Sequence, residues 1–262
     1  MESEAEALRL AAQTEAGDVA RRLRAVGIRA GQTVLDAGCG AGAVAKEIGK
    51  LIGPRGTLIG IDGSAERLKA AELALRELGD QAPALRFLQG DVRKLDVAAE
   101  SVDVAWTQYV LQYLPDPLPA VRELVRVTRP GGTVAAADID GFGLAYWPSD
   151  PLIEAGYPIF DAALKQHGFD LFVGRKLFTH FKALALTQVS VALDPFYVSA
   201  GTASDQLLAD WAIRFSALEP AVAPAFGGVE RYHALRDAYL AMLRAPDALK
   251  YAVVLTTVGQ RP

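Results

Sequence analysis

Nine residues, Val34-Leu35-Asp36-Ala37-Gly38-Cys39-Gly40-Ala41-Gly42, constrain the fold of this chain more than any other stretch. A short apolar run ends in an acid, a glycine turn follows, and an alanine-rich segment runs from Ala43 to Lys50. Glycine accepts left-handed backbone and lets a ligand come close to the main chain. The pattern therefore reads as strand, turn, helix, with the turn open to a nucleotide-like molecule.

The same alternation continues downstream. Apolar runs at Thr57–Ile61, Leu85–Leu88, Val102–Trp106 and Thr133–Ala137 read as four further strands. Between them, Ser64 is placed to cap a helix from Ala65 to Leu78, and Asp116-Pro117 opens another whose Leu118, Val121, Leu124 and Val125 share a face. Pro130-Gly131-Gly132 reads as a turn into the fifth strand. Five strands alternating with helices predict an α/β fold with a doubly wound parallel sheet. A ligand then binds outside the carboxyl ends of the strands. Those ends carry Asp36–Gly42, Asp62–Ser64, Gly90–Val92, Thr107–Tyr109 and Asp138–Asp140.

Beyond Asp140 the rhythm changes. Pro148, Pro151 and Pro158 punctuate an aromatic stretch, with helical segments expected near 159–167, 174–184, 203–218 and 229–243. Strands are expected near 188–193 and 251–258. Residues 4–27 form an amphipathic helical region. The expected organisation is one domain over 1–262. Its core is 30–138 plus the two late strands, and lid insertions at about 139–184 and 200–246 fold over the strand ends together with the N-terminal helix 4–27.

Composition narrows the partners. The net charge is −4 with no cluster of Lys or Arg, which disfavours nucleic acid. No apolar run is long enough to span a membrane. Cys39 is the single cysteine, and the acidic start Met1-Glu2-Ser3-Glu4 lacks the pattern of a signal peptide, so a cytoplasmic location is expected. No metal-ligand spacing is present, and no metal site is expected.

The glycine spacing alone leaves the cofactor open. Gly38-x-Gly40-x-x-Ala43 satisfies a dinucleotide fingerprint, and Asp62 lies where a ribose-binding acid belongs. Asp36 discriminates. A carboxylate beside the turn repels a pyrophosphate, whereas S-adenosylmethionine carries an ammonium and a sulfonium. At about 4 Å and an effective dielectric near 20, one such attraction is worth on the order of 4 kcal/mol before desolvation. No Tyr-x-x-x-Lys pair of a nicotinamide oxidoreductase is recognisable.

Val34–Gly42, Gly60-Ile61-Asp62-Gly63-Ser64, Gly90-Asp91-Val92 and Arg129-Pro130-Gly131-Gly132 resemble, in order and spacing, the motifs of class I S-adenosylmethionine-dependent methyltransferases, small-molecule branch. The resemblance implies a Rossmann-like, seven-stranded sheet whose seventh strand is antiparallel and lies between strands five and six. It implies that Asp36 and the backbone of Gly38 and Gly40, with Cys39 between them, hold the methionine end. Asp62 takes the ribose hydroxyls, Gly63 and Ser64 flank the adenosine, and Asp91 and the Val92 amide take the adenine. Thr107 and Gln108 border the methionine moiety through their backbone, and Gln13 closes over the cofactor.

The resemblance further implies methyl transfer by in-line displacement to an oxygen, nitrogen or carbon of a small acceptor. The aromatic residues of the lid suggest an apolar or aromatic one. Tyr109, Tyr113, Tyr146 and Trp147 follow strand ends and are expected to line its pocket. No catalytic base stands out: His180, His233, Tyr109 and Asp138 are candidates, and His167 reads as a helix end. A fold member that binds the cofactor without methylating, such as a cyclase or a regulatory protein, is the alternative. Monomer and homodimer are both compatible with the sequence.

Overall fold

Central strands that are apolar on both faces need a layer on each side, and the chain supplies both. The computed structural model describes residues 16–262. Among them the strands are β1 (Thr33–Ala37), β2 (Thr57–Asp62), β3 (Ala84–Gln89), β4 (Val102–Gln108), β5 (Thr128–Trp147), β6 (Thr187–Ala200) and β7 (Leu249–Gln260). The helices are α1 (Ala16–Ala25), α2 (Ala43–Ile52), α3 (Ala65–Arg76), α4 (Leu118–Val127), α5 (Pro151–Gln166), α6 (Val173–Ala183), α7 (Asp205–Val222) and α8 (Val229–Arg244).

One seven-stranded sheet runs β3-β2-β1-β4-β5-β7-β6. Strands β1 to β5 pair in parallel, and β7 is antiparallel to both β5 and β6. The doubly wound Rossmann-like architecture and the place of the antiparallel strand are as the sequence led us to expect. On one face, Leu23, Ile48 and Leu75 of α1, α2 and α3 pack on Val34, Leu58 and Val104. On the other, Val121 and Leu124 of α4 and Leu177 and Phe181 of α6 pack on Leu35, Ala105 and Val134.

Several boundaries differ from expectation, each for a non-local reason. Pro130-Gly131-Gly132 is not a turn before β5 but an irregularity within it. The register jumps from Val102↔Thr128 to Val104↔Thr133, and Gly131 and Gly132 exchange backbone hydrogen bonds with Arg261. The segment from Asp140 onward does not leave the sheet at once. β5 continues to Trp147 against the start of β7, across a second break between Asp140 and Ala145. β6 likewise runs on to Ala200. Its Pro195 is tolerated because β6 is an edge strand and its ladder shifts there.

Two helix expectations also change. α5 begins at Pro151 rather than near 159, because Asp150 accepts from the N–H groups of Leu152 and Ile153 and proline suits the first helical position. α6 lies in the sheet layer, not the lid, because its Val173, Leu177 and Phe181 face the strands. The lid is therefore α5, α7 and α8. These helices bury their own cluster, which includes Tyr157, Phe160, Trp211, Phe215, Tyr232 and Tyr239, and they rest on Ile139 at the end of the central sheet. The expected N-terminal helix is described from Ala16 on; residues 4–15, Gln13 among them, lie outside the described residues.

Candidate functional site

The glycine turn is held by the neighbouring strand. The N–H groups of Gly38 and Cys39 both donate to the Ile61 carbonyl, at 2.7 and 2.9 Å. Gly40 has φ +53°, and no atom lies within 4 Å of the place a Cβ would occupy. Gly42, at φ +90°, does a different job. A Cβ there would stand 2.7 Å from the Ala71 Cα, so this glycine lets α2 approach α3.

Asp36 and Asp62 come together at the ends of adjacent strands. Asp62 is buried, and its two oxygens are oriented separately. Oδ2 accepts from the Gly40 N–H and Oδ1 from the Ser64 N–H, both at 2.9 Å. Each oxygen keeps lone-pair capacity for a further donor. The Gly40 N–H is thus engaged by Asp62. Asp36 is only 2% exposed, and its Oδ2 has no hydrogen-bond partner among the described residues. Burial, and then the nearby Asp62, push its carboxyl up from 3.8 to about 7. A buried carboxylate oxygen without a donor is costly, and a cationic ligand group would relieve it. A phosphate would add like charge. These two acceptors fit an amino acid ammonium at Asp36 and a ribose diol at Asp62.

The remaining expected contacts divide. Ser64 accepts from the Arg67 N–H and caps α3 as its sequence position suggested. Gly63 is exposed beside Asp62, and its carbonyl accepts from Gln89. Asp91 is exposed and bound in bidentate fashion by the Arg93 guanidinium, which holds the carboxyl below its ordinary value. Val92 follows it at the same rim, half-buried. Thr107 donates to the Ala37 carbonyl at 2.8 Å, and Gln108 accepts from Arg22 at 3.0 Å. Both side chains therefore serve the framework. Burial, and then Asp36 and Asp62, push the Cys39 thiol up, so Cys39 is a small buried packing residue.

Beside the ends of β4 and β5, under the lid, lies a cavity of about 200 Å³. Tyr109, Gln112, Tyr113 and Ile139 form its floor, Phe196 comes from β6, and the lid adds Tyr157, Phe160, Trp211 and Phe215. Tyr109 sits in left-handed backbone at φ 57°, its N–H on the Ala137 carbonyl, and its ring meets Phe196 edge-on. Strain of this kind at a non-glycine residue gathers at binding sites. Of the four tyrosine and tryptophan residues expected here, Tyr109 and Tyr113 line the cavity. Tyr146 packs against the lid cluster, and Trp147 points to solvent at 67% exposure. They miss the cavity because β5 continues past the sheet edge and carries them beyond it.

The candidate bases separate in the same way. His233 pairs with Glu219 at 2.7 Å within the lid, and His180 lies on the sheet-covering α6. The His167 ring contacts the Ala163 carbonyl at 2.9 Å. Asp138 is buried, and burial pushes its carboxyl to about 7 against the opposing pull of backbone donors from Ile139, Gln112 and Leu111. It fixes the turn that follows β4 and does not line the cavity. Tyr109 alone of the candidates faces the cavity. Burial pushes its hydroxyl pKa up, with Arg22 beside it pulling the other way, so it is a neutral donor.

Sequence reasoning missed the buried pair between Arg22 on α1 and Asp194 on β6, at 3.1 Å. It expected an aromatic lid but did not place Tyr157, Phe160, Trp211 and Phe215 at the cavity. Trp211 and Phe215 are four residues apart and Tyr157 and Phe160 three apart, a helical stripe that the sequence alone cannot assign to core or cavity.

Residues 35–136 match the family described as "Methyltransferase domain". The chain is 37% identical over 125 residues to the ubiquinone/menaquinone biosynthesis C-methyltransferase of Bdellovibrio bacteriovorus, covering 46% of this chain and 52% of that one. The match spans a third to about half the length of the first such curated relatives. A SAM-dependent methyltransferase from Aquifex aeolicus superposes with a TM-score of 0.55 at 15% identity, covering 98% of this chain and 99% of that one. A (4+2) cyclase superposes with a TM-score of 0.55 at 19% identity, covering 93% and 81%.

Proposed function

We propose that this chain, which has the class I methyltransferase fold and matches a methyltransferase domain family over residues 35–136, transfers a methyl group from S-adenosylmethionine to a small apolar or aromatic acceptor. The observation that carries the reading is the buried Asp36 Oδ2, which lacks a hydrogen-bond donor beside a glycine turn. The cofactor brings a methyl already activated by the sulfonium charge. The task of the protein is then mainly to bind, orient and exclude water. Asp36 neutralises the ammonium, Asp62 binds the ribose diol, and Asp91 with the Val92 amide stands at the adenine rim. Tyr109, from the strained residue after β4, borders both the cofactor turn and the cavity and offers its hydroxyl to the acceptor. The aromatic lid excludes water from the reacting atoms. The quinone-type substrates named for the relatives are consistent with an aromatic acceptor.

The test is calorimetric titration with S-adenosylmethionine and with a nicotinamide dinucleotide, followed by incubation with aromatic acceptors and detection of the demethylated cofactor. Binding of the sulfonium cofactor with turnover supports the reading. Tight nicotinamide binding without affinity for S-adenosylmethionine overturns it, and cofactor binding without turnover on any acceptor class favours the cyclase-like alternative. Gly40→Ala gives a second check. The new methyl enters the open space at the turn in left-handed backbone, which costs about 1 kcal/mol of stability. We expect a small drop in melting temperature and a tenfold or larger loss of cofactor affinity, since close backbone approach is lost. Equal losses in the two measurements would argue for a purely structural role.

A further inference from the structure

A buried amide stands in the floor of the cavity. Gln112 sits in a single 3-10 turn, Leu111–Tyr113, that follows β4, and it is 5% exposed. Its main chain is gripped on both sides. The N–H donates to Asp138 Oδ2 at 3.2 Å, and the carbonyl accepts from the Asp170 N–H at 2.7 Å. The side-chain Nε2 donates to the Tyr109 carbonyl at 3.4 Å.

The amide oxygen is treated differently. Oε1 is buried and has no hydrogen-bond partner among the described residues. Exchanging the two amide atoms does not rescue it, because that would set the side-chain oxygen against the Tyr109 carbonyl. Gln112 lines the cavity, so this unused oxygen belongs to the cavity wall. Nearby lining side chains such as Ile139, Phe160, Phe169 and Leu171 have no proton to give. A buried oxygen left this way carries the cost of its lost water, and a bound molecule that donates to it removes that cost.

We infer that the methyl acceptor is an aromatic molecule bearing a hydroxyl, and that this hydroxyl donates to Gln112 Oε1. This rests on the methyl-transfer reading above for the identity of the cavity as the acceptor site. A phenolic O–H is a stronger neutral donor than an aromatic amine, and an anionic oxygen has no proton to offer and is repelled. Gln112 forms and breaks no covalent bond. It is a specificity residue: one hydrogen bond to a planar molecule among aromatic rings sets its rotation, and so which of its atoms faces the methyl. A site built to pair with a substrate hydroxyl also rejects the analogue that lacks it.

The probes are 2-naphthol and 2-methylnaphthalene, titrated into the full chain at pH 7 with saturating S-adenosylhomocysteine. They differ by a hydroxyl against a methyl of similar size. A pocket with no partner for the hydroxyl favours the methyl compound, because the hydroxyl loses its water without replacement. We expect the wild-type protein to bind 2-naphthol roughly threefold or more tightly than 2-methylnaphthalene. Gln112→Leu should reverse the order, moving the affinity ratio by about tenfold. Equal binding of the pair by the wild type, a preference for the methyl compound, no binding of 2-naphthol, or a naphthol preference that survives Gln112→Leu overturns the inference. The wild-type comparison needs no variant to fold. S-adenosylhomocysteine binding, measured first in the same samples, reports on the earlier reading by itself. A chain that fails to bind it overturns that reading and this inference with it. A chain that binds it yet does not prefer 2-naphthol refutes only the acceptor class.

Discussion

Asp36→Asn is expected to weaken S-adenosylmethionine binding by roughly 100-fold or more, while the ligand-free protein becomes no less stable. The first half follows from charge. The carboxylate faces the cofactor ammonium in a buried site, and an attraction on the order of 4 kcal/mol before desolvation leaves roughly 2–3 kcal/mol after it. The second half follows from burial. Desolvation, then Asp62, lift the Asp36 carboxyl from 3.8 to about 7. Between those values the folded chain keeps a proton that the unfolded chain has released. The contribution to stability is therefore present at low pH and lost as pH rises from about 4 to 7, by roughly 4 kcal/mol at most. Asp138, lifted to about 7 chiefly by burial, acts with the same sign. Asparagine removes the Asp36 share.

Thermal unfolding at pH 5 and pH 8 checks the second half. The fall in melting temperature between the two should be smaller for Asp36→Asn than for the wild type. Titration of the cofactor checks the first half. Wild-type affinity in the variant would remove the main ground for the proposed donor. An unchanged pH difference would mean that Asp36 is not buried as a carboxyl of raised pKa.

The second large effect lies away from the cofactor turn. Asp194→Ala should destabilise the chain by about 3 kcal/mol, because it strands the Arg22 guanidinium, which is only 5% exposed. In wild-type protein, Asp194 Oδ2 accepts from Arg22 Nε at 3.1 Å and Oδ1 from Arg21 at 2.5 Å. The other side of Arg22 reaches Gln108 at the end of β4. One buried arginine thus ties α1 to the outermost strand and to the end of β4. Burial acts to raise the Asp194 carboxyl, but the two arginines outweigh it and hold it below its ordinary value. Its contribution is therefore complete above about pH 4 and lost as pH falls through the lowered pKa. At pH 7 the variant should melt roughly 6–12 °C below the wild type. Arg21→Ala, with its side chain 59% exposed, should cost less than about 1 kcal/mol. A loss for Asp194→Ala no larger than that for Arg21→Ala would show that the buried pair does not anchor α1.

The cofactor half of the site was legible because its determinants are local. The turn at Gly38–Gly42, the acid at the end of β1 and the Asp62–Ser64 cap are each read within a few residues, and strand periodicity places them on one edge of the sheet. Even there, the structure adds what no short window shows: the Gly40 N–H is bound by Asp62, 22 residues on. The cavity under the lid was legible only in part. Tyr109 and Tyr113 follow a strand end and fell where expected. Tyr146 and Trp147 follow another, yet β5 continues against β7, so they overshoot the cavity. No local pattern reports where a strand stops when its partner lies about a hundred residues away.

The sequence by itself determined the alternation of strands and helices, the edge of the sheet at which a ligand binds, and the charge that favours a sulfonium cofactor over a phosphate. These depend on side-chain periodicity, turn chemistry and the sign of one buried acid, all of which are written within short windows. Only the tertiary structure decided which helices form the lid, that α6 belongs to the sheet layer, and that Arg22 meets Asp194. It also brought the Arg214 guanidinium and the Lys250 amine within 5.2 and 4.0 Å of the Trp211 ring centre. Those outcomes depend on pairing and packing between residues far apart in the chain, where several partners satisfy the same hydrophobic pattern and only the assembled core selects one.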